Sequence, residues 1–364
     1  MTKVAILRSN SIISDTRVKK IFESLSKKYS VLLLGWNREG RSKATSSKYK
    51  NNLRLLNIKA PFGKPSIIGY YPFFWIWIFL QLVSYSPKIV HACDLDTIPP
   101  AFLYKLIFRR KVIFDVFDRY AMSYIDPNFY LLYSFIQYLE EFYAGKSDVL
   151  VTVGTKLLET FKHKPRIYSI IMNCPEDTTI NTKSNDNLFK IIYTGNIVRS
   201  RGIKNIIEAT KDLTGVEFIF AGRINEKAFL DDNLNVNNVH YNGILSADDA
   251  LKLEGHGDAI AVLYDLRIPI NNFAMPNKIF IAMMFGTPTI TNIATDIIEE
   301  AKCGIVVDYD SIDQIKNAII RLRDDKELRD KLGNNGRKAF LQKYNWHIME
   351  KKLYRIYDDL INFN

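Results

Sequence analysis

The sequence predicts an α/β protein built on two doubly wound parallel sheets, and three observations predict it. Short β-rich runs alternate with amphipathic helices through both halves of the chain, a pattern that places helices on both faces of a parallel sheet. The 364 residues suffice for two ordinary domains, with 47% hydrophobic and 24% charged residues, as in a folded protein. A polar segment, "NCPEDTTINTKSNDN" from Asn173 to Asn187, interrupts the alternation and reads as a linker.

In chain order, the first half offers the strand "KVAILRS", a helix from Thr16 to Lys28, then "SVLLLGW", "KIVHA", "KVIFDV" and "DVLVTV". The second offers "FKIIYTG", a helix from Gly202 to Leu213, then "GVEFIFAG", "DAIAVLY", "TPTITN" and "CGIVVD". The closing stretch "YNWHIMEKKLYRIYDDLI" has the spacing of an amphipathic helix, expected to pack back across both domains. The expected boundaries are residues 1–172 for the first domain, 173–187 for the linker, 188–340 for the second domain and 341–364 for the returning helix. Ligands of open α/β sheets sit beyond the carboxyl ends of the strands, so two such domains are expected to face a common cleft.

Charge is unevenly divided. The net +11 resolves into +14 over residues 1–170 and −3 over the remainder. A basic first half favours an anionic partner, either a membrane surface or a phosphorylated ligand. Nucleic acid is not expected, because no zinc-finger spacing or aromatic RNA-binding strand is present. Cys93, Cys174 and Cys303 lie far apart with no CxxC, which argues against a disulfide framework and a zinc site. The start "MTKVAILRSN" lacks the apolar run of a signal peptide, so a cytoplasmic protein is expected.

Two stretches of the second half suit an anion. In "NNFAMPNKIFIAMMFGTPTI", Pro276 suits the first position of a helix whose free N–H groups and dipole favour negative charge, with Asn277 and Lys278 at that place. In "YTGNIVRSRGIKNIIEA" a strand, a glycine turn and a helix follow one another, with Asn196 and Arg201 five positions apart. Two helix starts with an arginine between them suit a diphosphate, although either alone is also an ordinary helix start.

The first half is less specific. Asp94, Asp96 and Asp118 stand near strand ends, and Arg119 follows Asp118; a helix cap or solvated loop explains each carboxylate equally well. His91 ends a strand where side chains reach the cleft. Asp15 suits an N-cap, and Arg17 is a candidate for the acceptor or its phosphate. His240 and His256 receive no role. From Lys64 to Lys88, "PSIIGYYPFFWIWIFLQLVSYSP" carries no charge, but its unbroken apolar run Phe73–Leu80 is too short for a span, which needs about 20 residues. Core burial and an interfacial helix over residues 70–85, with Trp75 and Trp77 at the headgroups of an anionic membrane, both fit; the neighbouring "FRRK" at Phe108–Lys111 supports the second.

Taken together, "SDTRVKKIFESL", "PKIVHACDLDTI", "VIFDVFDRYA", "YTGNIVRSRGI", "VEFIFAGR", "HYNGILSADDALKLEGHGDAIAVLY" and "MPNKIFIAMMFGTPTI" resemble the GT-B glycosyltransferases, in particular the retaining family 4, along nearly the whole chain. The resemblance implies two Rossmann-like domains facing a cleft. The second would bind a nucleotide-sugar as substrate, UDP-sugar before GDP-sugar, with no cofactor and no metal. Gly195, Asn196, Arg201 and Gly202 would then lie at the diphosphate, Gly222 and Arg223 near the base, and Tyr264, Asn277 and Lys278 beside them. Asp118, Arg119 and Asp96 are the candidate catalytic residues, and Arg17, His91 and Asp94 the acceptor contacts, for a glycan or polyprenyl-linked acceptor.

Two departures stand out. The family's paired glutamates, eight positions apart, fall on Phe273 and Ile281, and its histidine in a DAHE-like pattern falls on Phe117 of "DVFD". Retaining transfer tolerates these losses, since the departing phosphate oxygen can take the acceptor proton and positioning dominates. A catalytically weakened nucleotide- or lipid-binding subunit is the first alternative, and a sugar-nucleotide epimerase the second.

Overall fold

A computed structural model of the chain describes residues 1–10, 12, 15–39, 52–61, 65–178, 188–225 and 236–362. The chain divides into two compact units, one of Met1–Met172 with Glu350–Asn364 and one of Asn173–Met349. The expected boundary after residue 172 coincides with this division, whereas the return to the first unit comes at Glu350. Most of the expected linker, residues 179–187, lies outside the described residues.

The first unit holds a seven-stranded parallel sheet in the order β3-β2-β1-β4-β5-β6-β7. Its strands are β1 (Lys3–Leu7), β2 (Ser30–Trp36), β3 (Leu53–Leu56), β4 (Ile89–Cys93), β5 (Lys111–Val116), β6 (Val149–Thr152) and β7 (Ile167–Ile170). Central strands such as "IVHAC" are buried along their whole length, as continuous apolar runs covered on both faces must be. Its helices are α1 (Thr16–Ser26), α2 (Tyr71–Tyr85), α3 (Ile98–Phe108), α4 (Tyr120–Tyr124), α5 (Tyr130–Lys146) and α6 (Thr155–Glu159). Asp15 caps α1 by accepting the Val18 amide at 3.1 Å, which accounts for that residue without a substrate.

The second unit holds six parallel strands in the order β10-β9-β8-β11-β12-β13. They are β8 (Phe189–Thr194), β9 (Val216–Ala221), β10 (Val239–Tyr241), β11 (Ala259–Val262), β12 (Thr289–Thr291) and β13 (Gly304–Val306). Around them lie α7 (Ile203–Thr210), α8 (Ala247–Gly255), α9 (Asn277–Phe285), α10 (Thr295–Ala301), α11 (Ile312–Asp324) and α12 (Lys326–Gln342). A 3-10 turn over Arg199–Arg201 precedes α7, so the helix expected from Gly202 begins one residue later. The last helix, α13 (Trp346–Asn362), begins in the second unit and from Glu350 onward belongs to the first. The strand order reverses between β1 and β4 in one sheet and between β8 and β11 in the other, and ligands of such sheets bind beyond the carboxyl ends at that point.

The apolar stretch before β4 forms a 3-10 turn, Pro65–Tyr70, and α2. By length and composition alone, Ser66–Tyr85 suffices to cross a membrane, with only 22% of it buried. Tyr71, Phe74, Ile78 and Leu82 are its buried side, Phe74 stacking on Trp36 at 4.7 Å. Core burial thus holds for this side of the helix, while Phe73, Ile76 and Leu80 on its other side are exposed. Trp75 and Trp77 are not its outermost residues: the Trp75 indole donates to the Asp96 carbonyl at 2.8 Å, and Trp77 stacks on Phe74.

Candidate functional site

In the second unit the turn after β8 brings Gly195, Asn196 and Arg201 to the reversal of strand order. Gly195 has φ +126°, and the Gly195 loop touches the Gly222 loop so closely that a Cβ on Gly222 would lie 1.7 Å from the Gly195 carbonyl oxygen. Gly222, with φ +141°, is required by this approach, and Gly195 by its own backbone conformation. The exposed Arg223 follows, its carbonyl accepting the Ile197 amide at 2.9 Å. Gly202, with φ +65°, packs so near Leu263 that a Cβ would fall 2.5 Å from that residue's own. The turn is therefore held against β11 by sterics as well as by the Asp265 amide, which donates to the Ser200 carbonyl at 2.9 Å.

Arg201 rests on Tyr264, its guanidinium carbon 3.6 Å from the ring centroid. Its Nη1 is buried with no hydrogen-bond partner, and among the described residues it makes no ion pair. Tyr264 is fixed by Asn292, whose side-chain oxygen accepts the Tyr264 amide and whose NH2 donates to the Tyr264 carbonyl, both at 2.8 Å. Asn292 was not distinguishable in the sequence, because its role depends on a strand neighbour 28 residues away.

Lys278, on the first turn of α9, reaches back over Tyr193 at 4.9 Å. Its Nζ lies 2.9 Å from where a Gly195 Cβ would be, so any side chain at 195 would displace it. Burial pulls Lys278 down to about 8, with Glu254 opposing this and Arg201 adding to it. Burial pushes Glu254 up, and its carboxyl is engaged by the Thr194 hydroxyl. Pro276 is the N-cap of α9 rather than its first residue, so Asn277 and Lys278 open the helix. Asn196 has an exposed side chain, and its carbonyl accepts the Tyr193 hydroxyl at 2.7 Å. The second positive charge at this turn thus comes from Lys278 rather than from position 196. A buried donor without a partner and a second cation that makes no salt bridge among the described residues suit an anion. A nearby cavity of about 250 Å³, lined by Asp265, Arg267, Asn292, Asp308 and Tyr309 among others, has acidic walls that suit phosphate poorly.

In the first unit the carboxyl ends of β1, β4 and β5 collect charges that are mostly paired. Asp94, held at φ +66°, accepts Arg8 and the Phe117 amide, the latter at 2.8 Å, while Arg8 also binds Asp15 at 2.9 Å. Burial pushes Asp94 up to about 7 despite Arg8. Asp96 accepts the hydroxyls of Ser9 and, at 3.3 Å, of Tyr71, with Arg38 4.0 Å away. Its Oδ1 is buried without a partner, and burial raises this carboxyl also. Tyr71 and Tyr120 share a hydroxyl contact of 2.8 Å beside it. Asp118 is exposed at the end of β5.

Three expected site residues are committed elsewhere. Arg17 is buried, donating to Asp115 at 2.7 Å and to the Ile171 carbonyl, so it does not reach toward an acceptor. His91, expected to project from its strand end, is wholly buried between Asp115 at 3.0 Å and the Tyr357 hydroxyl at 2.9 Å. Burial opposes the charge on Asp115, yet Arg17 and His91 hold it below the usual carboxylate range. His91, Cys93 and Asp115 present their heteroatoms within 4.8 Å of one another, but the Arg17 guanidinium already supplies the positive charge there. Arg119 is buried against Phe161 and paired with Glu141 at 3.1 Å and Glu140 at 3.6 Å. It braces α5 through these two glutamates. Phe117, in the place of the family histidine, packs between the guanidinium groups of Arg8 and Arg17 at 4.4 and 4.8 Å.

Residues 176–339 match the model of the family described as glycosyl transferases group 1. An uncharacterized glycosyltransferase of Methanocaldococcus jannaschii is 23% identical over 284 residues, 71% of each chain. The capsular polysaccharide biosynthesis glycosyltransferase CapM of Staphylococcus aureus is 24% identical over 187 residues, 49% of this chain and 47% of that protein. Among solved structures, sucrose-phosphate synthase from Thermosynechococcus elongatus superposes with a TM-score of 0.80 at 13% identity over 100% of both chains. Anabaena HepE in complex with UDP and glucose gives 0.76 at 12% identity, over 99% of this chain and 100% of that one. The architecture is thus that of the GT-B glycosyltransferases.

Proposed function

We propose that this chain, whose residues 176–339 match the group 1 glycosyltransferases, moves a sugar from a nucleotide-sugar donor to a glycan or polyprenyl-linked acceptor with retention of configuration. The observation that carries the reading is the Arg201 guanidinium, seated on Tyr264 with a buried Nη1 that has no partner and with Lys278 as the neighbouring cation. The two groups would hold the donor diphosphate, with the first turn of α9 and the backbone at Gly195 and Gly222 close to it. A UDP-sugar is preferred to a GDP-sugar, in keeping with the UDP bound by the Anabaena protein.

In the transfer, the bond from the sugar C1 to the phosphate oxygen breaks while a bond from C1 to the acceptor oxygen forms on the same face. The acceptor proton passes to the departing phosphate oxygen. Arg201 and Lys278 stabilise the charge that builds on the leaving diphosphate, which is the largest contribution asked of the protein. No dedicated base is required, consistent with Phe117 where the family has histidine. The first unit would receive the acceptor at Asp94 and Asp96, where the unpartnered Asp96 Oδ1 suits a sugar hydroxyl, with Asp118 at the rim. Contact of α2 with an anionic membrane belongs to this reading, since it would bring a lipid-linked acceptor to Asp96, next to Trp75 on that helix.

A thermal-shift series with UDP-, GDP- and ADP-sugars tests the donor assignment; a ligand at 100 times its dissociation constant stabilises by about 2.7 kcal/mol. Stabilisation by one nucleotide-sugar, abolished in Arg201→Ala, supports the reading, and no shift with any of them refutes it. Binding without turnover on any acceptor would leave the weakened binding subunit as the better description.

A further inference from the structure

Helices α2, α3 and α5 form one continuous layer: α2 packs on α3, and Phe102 of α3 meets Phe142 and Tyr143 of α5 with ring centroids 5.7 and 5.5 Å apart. A helix that is apolar all round is normally buried all round. Here α2 carries no charged residue and α3 only Lys105, yet each is covered on one side alone. Phe73 is 63% exposed on α2, Leu106 is 62% exposed on α3 and Leu131 is 84% exposed on α5. Ile76, Ile107 and Phe135 extend the same apolar exposure along each helix. Monomers rarely leave so continuous an apolar face uncovered.

The charges around it point to one occupant. The only acids of the three helices, Glu140 and Glu141, are turned inward, to the Tyr120 amide and to Arg119, Lys162 and His163. No carboxylate of these helices therefore faces outward. Lys88 follows α2, and Arg109 and Arg110 follow α3, within a half-chain of net charge +14. A second copy would bring two such basic surfaces together, whereas an anionic bilayer complements them. Crossing the bilayer is disfavoured, because withdrawing α2 would strip Phe74, Ile78 and Leu82, all wholly buried, from the sheet.

We propose that α2, α3 and α5 together are a membrane-docking face that lies in the headgroup region of an anionic bilayer. The proposal enlarges the reading of residues 70–85 as an interfacial helix and rests on it, while being independent of the sugar transferred. It places α3 and α5, which have no part in the donor or acceptor contacts, against lipid.

Co-sedimentation of the full chain with phosphatidylcholine vesicles, and with vesicles that also contain phosphatidylglycerol, tests it directly. Three exposed pairs are compared: Ile76→Ser with Leu80→Ser on α2, Leu106→Ser with Ile107→Ser on α3, and Leu131→Ser with Phe135→Ser on α5. Each pair is expected to weaken binding to the anionic vesicles about tenfold or more while the melting temperature stays within about 2 °C of the parent. Binding should fall as salt rises and be weak on phosphatidylcholine alone. If the α2 pair abolishes binding and the α3 and α5 pairs do not, the three-helix face is refuted and the single interfacial helix survives. Failure of the parent to bind vesicles refutes both, and a doubled mass in light scattering, lost in the same pairs, would identify a second copy as the occupant instead.

Discussion

At the reversal of strand order in the first unit, Arg8 is held by Asp15 and Asp94, and Arg17 by Asp115. At the reversal in the second, Arg201 rests on one tyrosine and Lys278 on another, with no carboxylate bonded to either among the described residues. The same topology therefore carries two electrostatic designs. In the first unit the positive charges are used up in holding the sheet edge together. In the second they rest on aromatic rings instead, the arrangement that the proposed diphosphate site requires. Counting arginines near a strand end does not separate the two cases; identifying their partners does.

The sharpest way to break the comparison is Asp115→Ala. It leaves the Arg17 guanidinium buried and His91 without its acceptor, and removal of one partner of a buried pair typically costs about 3–5 kcal/mol. Calorimetry should show a large fall in melting temperature, much of it recovered in Arg17→Met combined with Asp115→Leu. Survival of the single variant at native stability would show that these charges are not structural.

Arg201→Ala is expected to do the reverse. UDP affinity should fall by about 1.5–3 kcal/mol, the worth of a charge-assisted hydrogen bond, with the melting temperature unchanged or higher. Titration calorimetry reads the first and thermal unfolding the second, and a variant that unfolds early would place Arg201 with the structural arginines of the other unit.

Lys278 supplies a test by pH. With its folded value near 8 against an ordinary 10.5, the unfolded chain binds more protons between those limits. Stability without ligand should accordingly rise with pH across that window. Donor affinity should move the opposite way, weakening as the ammonium is lost, by up to about tenfold between pH 7.5 and 9.5 for one charge-assisted bond. In Lys278→Met both dependences should flatten. The smallest effect is expected for Asn196→Ala, about 1 kcal/mol of affinity, because its side chain offers a neutral hydrogen bond from an exposed position. A loss equal to that of Arg201→Ala would restore position 196 as the second anchor of the diphosphate.

The candidate donor turn was legible because its strand, glycine turn and helix start follow one another in the chain. The glycines, Arg201 and Lys278 were marked by these local signals, although their packing on Leu263, Tyr264 and Tyr193 was not. The first unit resisted the same reading because its partners are remote: Arg17 and Asp115 are 98 positions apart, and His91 and Tyr357 are 266 apart. A histidine at a strand end has the same sequence context whether it faces solvent or a tyrosine from the far end of the chain. The apolar stretch at residues 71–85 was visible as such, but which of its aromatics stay covered depends on Trp36 and Asp96, contributed by other elements. The strands Leu53–Leu56, Val239–Tyr241 and Ile167–Ile170 escaped notice because they are short and lie at or near sheet edges, where alternation is brief.

The hydrogen bond between His91 and Tyr357 has a consequence for biosynthesis. Leu353, Ile356, Tyr357 and Leu360 are buried in the first unit, though the ribosome makes them after the whole of the second. Chains commonly fold domain by domain from the amino end as they emerge. Here the earlier-made unit is completed last: until 177 intervening residues, Asn173–Met349, have been translated, His91 has only Asp115 of its two partners and the place of Tyr357 stays open. The second unit ends at Met349, so all of its residues are made before the final helical turns.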